Sequence, residues 1–286
     1  MVHLNYGLIY SPHIYLKYSI IIPVHNNLDF TKSCIQDFIS LDNSQVECIV
    51  IDNASTDDTG IYLSCLDVGI KVISNISNLG CARSWNQGIK ISSGDWVIIL
   101  NNDVRLSQGW LPSLINAAEE RNFQVVSPAM REGPLNYDFD SYATNYLTVM
   151  KNVCREWTPN GACFAVKRKV FSEVGLFDEN YEIGQYEDAD FFRRCKVAKI
   201  KMGVTGKSFI HHFGSITQTS ITSIVNVDYG ALNRKYHRQK WKISFLRRHF
   251  ERYREKLLLF FWSRLELYNY GHSLLEKYKD GKIRYF

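Results

Sequence analysis

The first hundred residues alternate between two textures, and that alternation constrains the fold more than any other feature of the chain. Tyr18–Val24, Val46–Ile51, Lys71–Ile73 and Asp95–Leu100 are short runs dominated by apolar and β-branched residues. Three of them stop at polar loops: His25-Asn26-Asn27, the stretch from Asp52 to Thr59, and Asn101-Asn102-Asp103. Between the runs, Asp29–Ser40, Gly60–Leu66 and Cys81–Ile91 have helical texture, with spacings of three or four such as Ala82, Trp85 and Ile89. Strands buried on both faces read as continuous apolar runs. Strand, polar loop, helix, strand is therefore the pattern of an α/β fold whose parallel strands are covered by helices. Ligands in such sheets sit at the carboxyl ends of the strands. The Asn- and Asp-rich loops fall at those ends.

The rest of the chain is less regular. Trp110–Arg121 predicts a helix and Val125-Val126 a strand, while Gly133–Tyr146 is polar and aromatic and reads as a loop. A second orderly block runs from Gly161 to His212. Residues 234–286 read as a basic, aromatic helical tail. Lys and Arg exceed Asp and Glu by only 34 − 29 = 5 overall, but Arg234 to Lys256 holds ten of the basic residues against two acids. Phe245, Leu246, Phe250, Tyr253, Leu257 and Phe261 recur at helical spacing there. Such a helix either lies on an anionic membrane surface or packs on the domain with its basic face in water. Its aromatic residues could also join two copies into a homodimer. The seven cysteines are scattered without a C-x-x-C pair, which points to free thiols in a reducing compartment rather than a zinc site or disulfide framework. The apolar runs fall far short of the roughly 20 residues of a membrane span. The N-terminus lacks the basic-then-apolar pattern of a signal peptide. A cytoplasmic chain, peripheral at the membrane if the tail docks there, is the expectation.

Chemistry-bearing residues sit in the loops. Carboxylates and small hydroxyl residues from Asp52 to Thr59 suit a ribose or base, and equally suit Asx turns and a helix cap. Asp103, beyond a strand end, is placed to ligate a hard divalent cation, or belongs to an ordinary turn. Glu187-Asp188-Ala189-Asp190 opens a helix, where the dipole favours anions, and could also supply a general base, Asp188 being the candidate. His211-His212 follows an apolar strand, and one imidazole there could complete a metal site. Neither G-x-G-x-x-G nor G-x-x-x-x-G-K-[ST] is present, which argues against dinucleotide dehydrogenases and P-loop enzymes.

The order of these segments resembles glycosyltransferase family 2. Ser19-Ile20-Ile21-Ile22-Pro23-Val24-His25-Asn26 looks like its opening strand. Val50-Ile51-Asp52-Asn53-Ala54-Ser55-Thr56-Asp57 resembles its second strand and uracil-contacting loop. Asn78-Leu79-Gly80 through Asn86 resembles its N-x-G-x-x-x-x-x-N segment. Leu100-Asn101-Asn102-Asp103 looks like its D-x-D metal motif with Asn for the first Asp. Gly161-Ala162-Cys163-Phe164 resembles its acceptor-side loop, joined by the turn Gly175–Glu179. Glu187-Asp188 resembles its E-D motif, and His212-Phe213-Gly214-Ser215 its late His. The resemblance spans roughly residues 18–217.

It implies a GT-A fold over residues 1–228, with a nucleotide-binding half near 18–104, an acceptor and catalytic half near 105–228, and the tail at 229–286. It implies an inverting sugar transfer from a nucleotide-diphosphate sugar, UDP first and dTDP second, to a glycan or lipid-linked acceptor. The nucleotide side would use Pro23, His25, Asn26, Asp52, Asn53, Ser55, Asn78, Gly80, Arg83, Asn101 and Asn102. Asp103 with His212 would hold Mn²⁺ or Mg²⁺, His211 being the open alternative. Asp188 would act as base beside Glu187, with Trp157, Gly161 and Ala162 on the acceptor side. Asn101 leaves the metal motif one formal charge short, which predicts weaker metal affinity. Three other classes compete. A nucleotidyltransferase, which can share the broad fold, would carry a Gly-rich loop with a basic residue after the first strand, and Pro23-Val24-His25-Asn26-Asn27 is not that. A nucleotide-sugar-binding protein without catalysis would have no use for Asp188 and Asp103. A nucleic-acid-binding protein working through its basic tail would leave the acidic loops without a role, so no nucleic acid is expected as a partner.

Overall fold

The computed structural model describes residues 17–40, 45–66, 69–214, 227–279 and 281–285. The N-terminal stretch expected to lack a signal peptide, and Ser215 of the late His motif, lie outside the described residues.

The alternating textures fold as expected. Strands β1 (Tyr18–Val24), β2 (Val46–Asp52), β3 (Ile70–Ser74) and β4 (Trp96–Leu100) alternate with helices α1 (Leu28–Ile39), α2 (Thr59–Ser64) and α3 (Cys81–Ile91). β1 pairs in parallel with both β2 and β4, and β2 with β3. The chain continues through β5 (Val104–Leu106), α4 (Trp110–Arg121), β6 (Val125–Glu132), α5 (Phe139–Met150), β7 (Cys154–Arg155) and β8 (Cys163–Lys167). Helices α6 (Arg168–Val174) and α7 (Glu187–Val197) and strand β9 (Met202–His212) complete the second block. The last part holds helices α8 (Tyr229–Lys240) and α9 (Phe245–Tyr270) and strands β10 (Leu275–Lys279) and β11 (Lys282–Tyr285).

One mixed sheet runs β11-β10-β6-β8-β4-β1-β2-β3, with β9 beside β6 and carrying β5 and β7. β8 is antiparallel to both β4 and β6, so β6 points the same way as β4. β9 in turn is parallel to β6, with His212 opposite Glu132. The carboxyl ends of β1, β2, β4, β6 and β9 therefore share one edge of the sheet.

Side chains alternate across the strands and build a core on each face. Ile20, Ile22, Val50, Ile98 and Leu100 pack with Phe38 of α1 and Trp110 and Leu114 of α4. Ile21, Ile49, Ile51, Val97 and Ile99 pack on the other face with Trp85 and Ile89 of α3 and Phe191 of α7. No described helix is long and apolar enough to cross a membrane.

Two expectations are corrected. Gly133–Tyr146 is not a loop throughout. Its second half starts α5, capped by Asp138, whose carboxylate accepts from Ser141 N at 2.8 Å. Phe139, Ala143, Tyr146 and Met150, spaced three or four apart, bury one face of α5 against Phe209 and Leu274. The tail is not helical to its end either. β10 joins β6 in parallel and forms a hairpin with β11, so the chain returns to the sheet. Glu276 is tolerated inside β10 because His272 and the Tyr142 hydroxyl hydrogen-bond its carboxylate.

Candidate active site

The loops after β1 and β2 brace each other. Asn26 Oδ1 accepts from Thr56 N at 2.6 Å, and Asn26 N donates to Ser55 Oγ at 2.8 Å. Asp52 Oδ1 accepts from Ser55 N at 2.9 Å, and His25 Nδ1 donates to the Asn53 carbonyl at 2.8 Å. Asn26, Asn27 and Ala54 hold left-handed backbone, which such tight corners require. Pro23 is buried in β1, past the last register position with β4, Ile21 opposite Ile99. Asn53 is buried and accepts from Asn75 Nδ2 and Ser84 Oγ, so its amide is committed to the scaffold.

Asn78 Oδ1 accepts from Gly80 N at 2.9 Å and turns the chain into α3. Gly80 has φ +81° and a Cβ there would lie 2.7 Å from Ile183 N, so only glycine fits. Cys81 N donates to Ile183 O at 2.7 Å, which docks this corner on the segment before Glu187. Asn86, the last residue of that sequence segment, spends its amide on Phe177 and Glu179. Arg83 is half exposed, with Nε 3.9 Å from Glu179.

The β4, β6, β8 and β9 ends and the α7 start surround a cleft of about 230 Å³. Asn101, Gly161, Ala162, Glu187, Asp188 and His212 line it together with Trp85 and Glu132. Asn101 N donates to Ala162 O, which joins the two loops at 2.9 Å. Asp103 and His212 approach each other, Oδ1 to Nε2 at 3.4 Å. His211 points away, hydrogen-bonded through Nδ1 to Tyr137, and burial lowers its pKa to about 4. The strand's two-residue period thus puts His212, and not its neighbour, beside Asp103. Asn102 is buried against α1, donating to Thr31 Oγ1 at 2.9 Å, and does not line the cleft.

The cleft holds buried polar atoms without hydrogen-bond partners. They are Glu187 Oε2, both ring nitrogens of His212 and Trp85 Nε1. Such orphans are rare in folded proteins and mark ligand sites. Burial, then the charge of Asp188, raises the Glu187 carboxyl above its ordinary range. Burial also raises Asp188. Two negative groups this close in low dielectric titrate as a pair.

No group of three His, Cys, Asp or Glu residues among the described ones is gathered to hold a metal. The donor set still fits a hard divalent ion. Such ions usually take one or two protein carboxylates and complete their shell with substrate phosphates and water. Asp103 and His212 would supply the two protein donors, and neither His212 ring nitrogen is spent on a hydrogen bond.

Two features of the cleft and its surroundings, Glu132 and Asn233, escaped sequence reasoning, and one expected site residue, Trp157, is corrected. Glu132 enters the cleft, its Oε2 4.0 Å from His212 Nδ1, and it also pairs with Lys277. Trp157 goes elsewhere: it packs on Trp262 with centroids 4.8 Å apart and lines a separate cleft with Lys196, Lys199 and Lys201. Asn233 of α8 clamps the segment before Glu187 and Asp188. Its Nδ2 donates to the carbonyls of Glu182, Gly184 and Gln185, and its Oδ1 accepts from Glu182 N. That segment holds Ile183, Gln185 and Tyr186 at positive φ, a conformation costing about 1–3 kcal/mol each. Asn233→Ala would take the donor away from the buried Gly184 carbonyl and its part-buried neighbours. It should lower stability by about 1–3 kcal/mol. Displacing Glu187 and Asp188 should cut turnover about 100-fold. Nucleotide affinity, measured in parallel by calorimetry, should hold.

Gly161 carries a second prediction. A Cβ there would collide with Asp188 Oδ2, the end of a movable side chain. Gly161→Ala should fold normally, by thermal melting, yet lose about 100-fold in turnover because the carboxylate must swing aside.

The comparisons agree with this fold. The family model described as glycosyl transferase family 2 matches residues 19–179, more than half of the chain. The chain belongs to glycosyltransferase family 2. It is similar to the glycosyltransferase GlyG of Streptococcus pneumoniae, 22% identical over 54% of this chain and 58% of GlyG. It resembles the low-salt glycan biosynthesis hexosyltransferase Agl10 of Haloferax volcanii, 24% identical over 70% of this chain and 69% of Agl10. An uncharacterised glycosyltransferase of Bacillus subtilis, YwdF, is 23% identical over 77% of this chain and 81% of its own length. Among solved structures, GalNAc-T7 crystallised with UDP, GalNAc and Mn²⁺ superposes with a TM-score of 0.56 at 17% identity, over 70% of this chain and 44% of that one. The likeness shows the GT-A fold. The family match ends before Glu187, Asp188 and His212, so their part in the site rests on the geometry.

Proposed function

We propose that this family member transfers a sugar from a nucleoside-diphosphate sugar to a hydroxyl of a glycan or lipid-linked glycan, with inversion at the anomeric carbon. One observation carries the reading: Glu187, Asp188 and His212 line one cleft, with Asp103 3.4 Å from His212, at the sheet edge where the β1 and β2 loops also lie. The β1 and β2 loops, with Asp52, His25 and Asn78, hold the nucleobase and ribose, UDP first and dTDP second. The nucleotide-binding half is residues 18–104 and the acceptor half 105–228. GalNAc-T7, of the same fold, carries UDP and Mn²⁺, which supports both the donor class and the ion.

Asp188 takes the proton from the acceptor hydroxyl, which is too weak a nucleophile without a base. The freed oxygen attacks the anomeric carbon as the bond to the diphosphate oxygen breaks on the opposite face. Burial, then the charge of Asp188, raises the Glu187 carboxyl, and burial raises Asp188 itself, which suits it to accept a proton. Asp103 and His212 would hold Mn²⁺ or Mg²⁺, which supplies charge neutralisation for the departing diphosphate. The free thiols fit a reducing compartment, and we place the chain in the cytoplasm.

The test is a panel of UDP- and dTDP-sugars scored for release of nucleoside diphosphate, with proton NMR of the sugar product. The expected result is metal-dependent release from one donor and an inverted anomeric configuration. Retained configuration, or no release from any donor by folded protein, would refute the reading.

A further inference from the structure

Helix α9 is held on one side and bare on the other. Toward the body of the protein, Glu266 ion-pairs with Arg155 and accepts from Ser273 Oγ at 2.8 Å. Trp262 packs on Trp157, and Glu251 lies 3.7 Å from Arg193. These contacts pin both halves of the helix and fix its rotation about its own axis.

With about 100° between successive residues, the opposite side carries Leu246, Phe250, Tyr253, Leu257 and Phe261. They are 79%, 68%, 69%, 42% and 60% exposed. Large apolar side chains continuous along one face mark an interaction surface, unlike hydrophobics scattered singly. The charges are sorted about the same axis. Arg247 and Arg254 border the stripe on one flank, Arg252 and Lys256 on the other. The helix's acids, Glu251, Glu255 and Glu266, fall on the body side.

An apolar stripe with cations on both borders is the arrangement of a helix lying in the plane of an anionic bilayer. Its apolar side chains enter the acyl boundary while Arg and Lys stems reach back to the headgroups. The helix cannot cross a membrane. At 26 residues it is about 39 Å long and can only lie flat. A second copy of the chain fits the same face poorly. Two such stripes brought together set basic flank against basic flank, whichever way the helices run. We infer that α9 is a membrane-docking surface whose partner is an anionic lipid bilayer. No residue of the cleft enters this inference, so it stands or falls separately from the transfer reading.

The test is co-sedimentation of the full chain with vesicles of phosphatidylcholine alone and of phosphatidylcholine mixed with phosphatidylglycerol. Binding to the mixed vesicles, weakened by salt, is expected. A variant carrying Leu246→Ser, Phe250→Ser and Phe261→Ser changes exposed positions only. It should keep the wild-type melting temperature and lose at least about tenfold in vesicle partition. Wild-type protein that stays in solution with anionic vesicles, or a variant that sediments equally, would overturn the inference. So would a dimer seen by light scattering that the variant abolishes while neither protein binds vesicles, because the face would then belong to a second copy.

Discussion

Asp188→Asn is expected to lower sugar transfer by about 1,000-fold, the middle of the range for losing a positioned base. The amide has the shape of the carboxylate, and its oxygen can still accept from Ala189 N as Asp188 Oδ1 does at 2.7 Å. It still fits the space that Gly161 leaves open. What it cannot do is take a proton. Nucleotide affinity should therefore stay within about twofold, since the lost interaction belongs to the transition state. The pH profile gives a second readout. Burial raises the Asp188 carboxyl above its ordinary value. A base works only when deprotonated, so wild-type kcat/KM should fall as pH drops through that raised pKa. The acid limb should lie above the usual Asp range of about 4. The residual activity of the Asn variant should lack this limb. A variant with near wild-type turnover would remove Asp188 from the mechanism.

Asp103→Asn should lower nucleotide affinity measured with Mn²⁺ about 100-fold and change nothing in EDTA. Asn101 and Asn102 are neutral, so Asp103 is the one formal charge in its loop. It is also the carboxylate next to His212, at 3.4 Å. His212→Ala removes a neutral donor and should cost about tenfold under the same conditions. Equal affinity of wild type and the Asp103 variant with Mn²⁺ would take the ion away from this pair.

Much of the nucleotide half was legible because its signals are local. β1, β2 and β4 are continuous apolar runs, and each ends where a polar loop begins. Gly80 and Asn78 carry their own turn chemistry. What escaped was tertiary. The period of α5 is written partly in Phe139, Tyr142 and Tyr146, aromatic residues interleaved with Asp, Ser and Asn, and the face they form packs against Phe209. β10 reads Leu-Glu-Lys-Tyr-Lys, and its glutamate is buried only because Tyr142 and His272 lie opposite. Glu132 reaches the cleft through the parallel register of β6 with β9, which no spacing in the sequence encodes. The choice between His211 and His212 depended on which face of β9 meets Asp103. Asn233 is separated from the segment it clamps by about fifty residues, and a lone Asn in a basic helix carries no signal.

The sheet edge is proposed to bind a nucleoside diphosphate through a divalent ion. Calorimetric titration of the wild-type chain with UDP, dTDP, GDP and CMP, first with Mn²⁺ and then with EDTA, tests it most directly. A pyrimidine diphosphate is expected to bind, UDP before dTDP, and EDTA to remove most of the affinity. Folded protein that binds none of the four, with or without Mn²⁺, would contradict it.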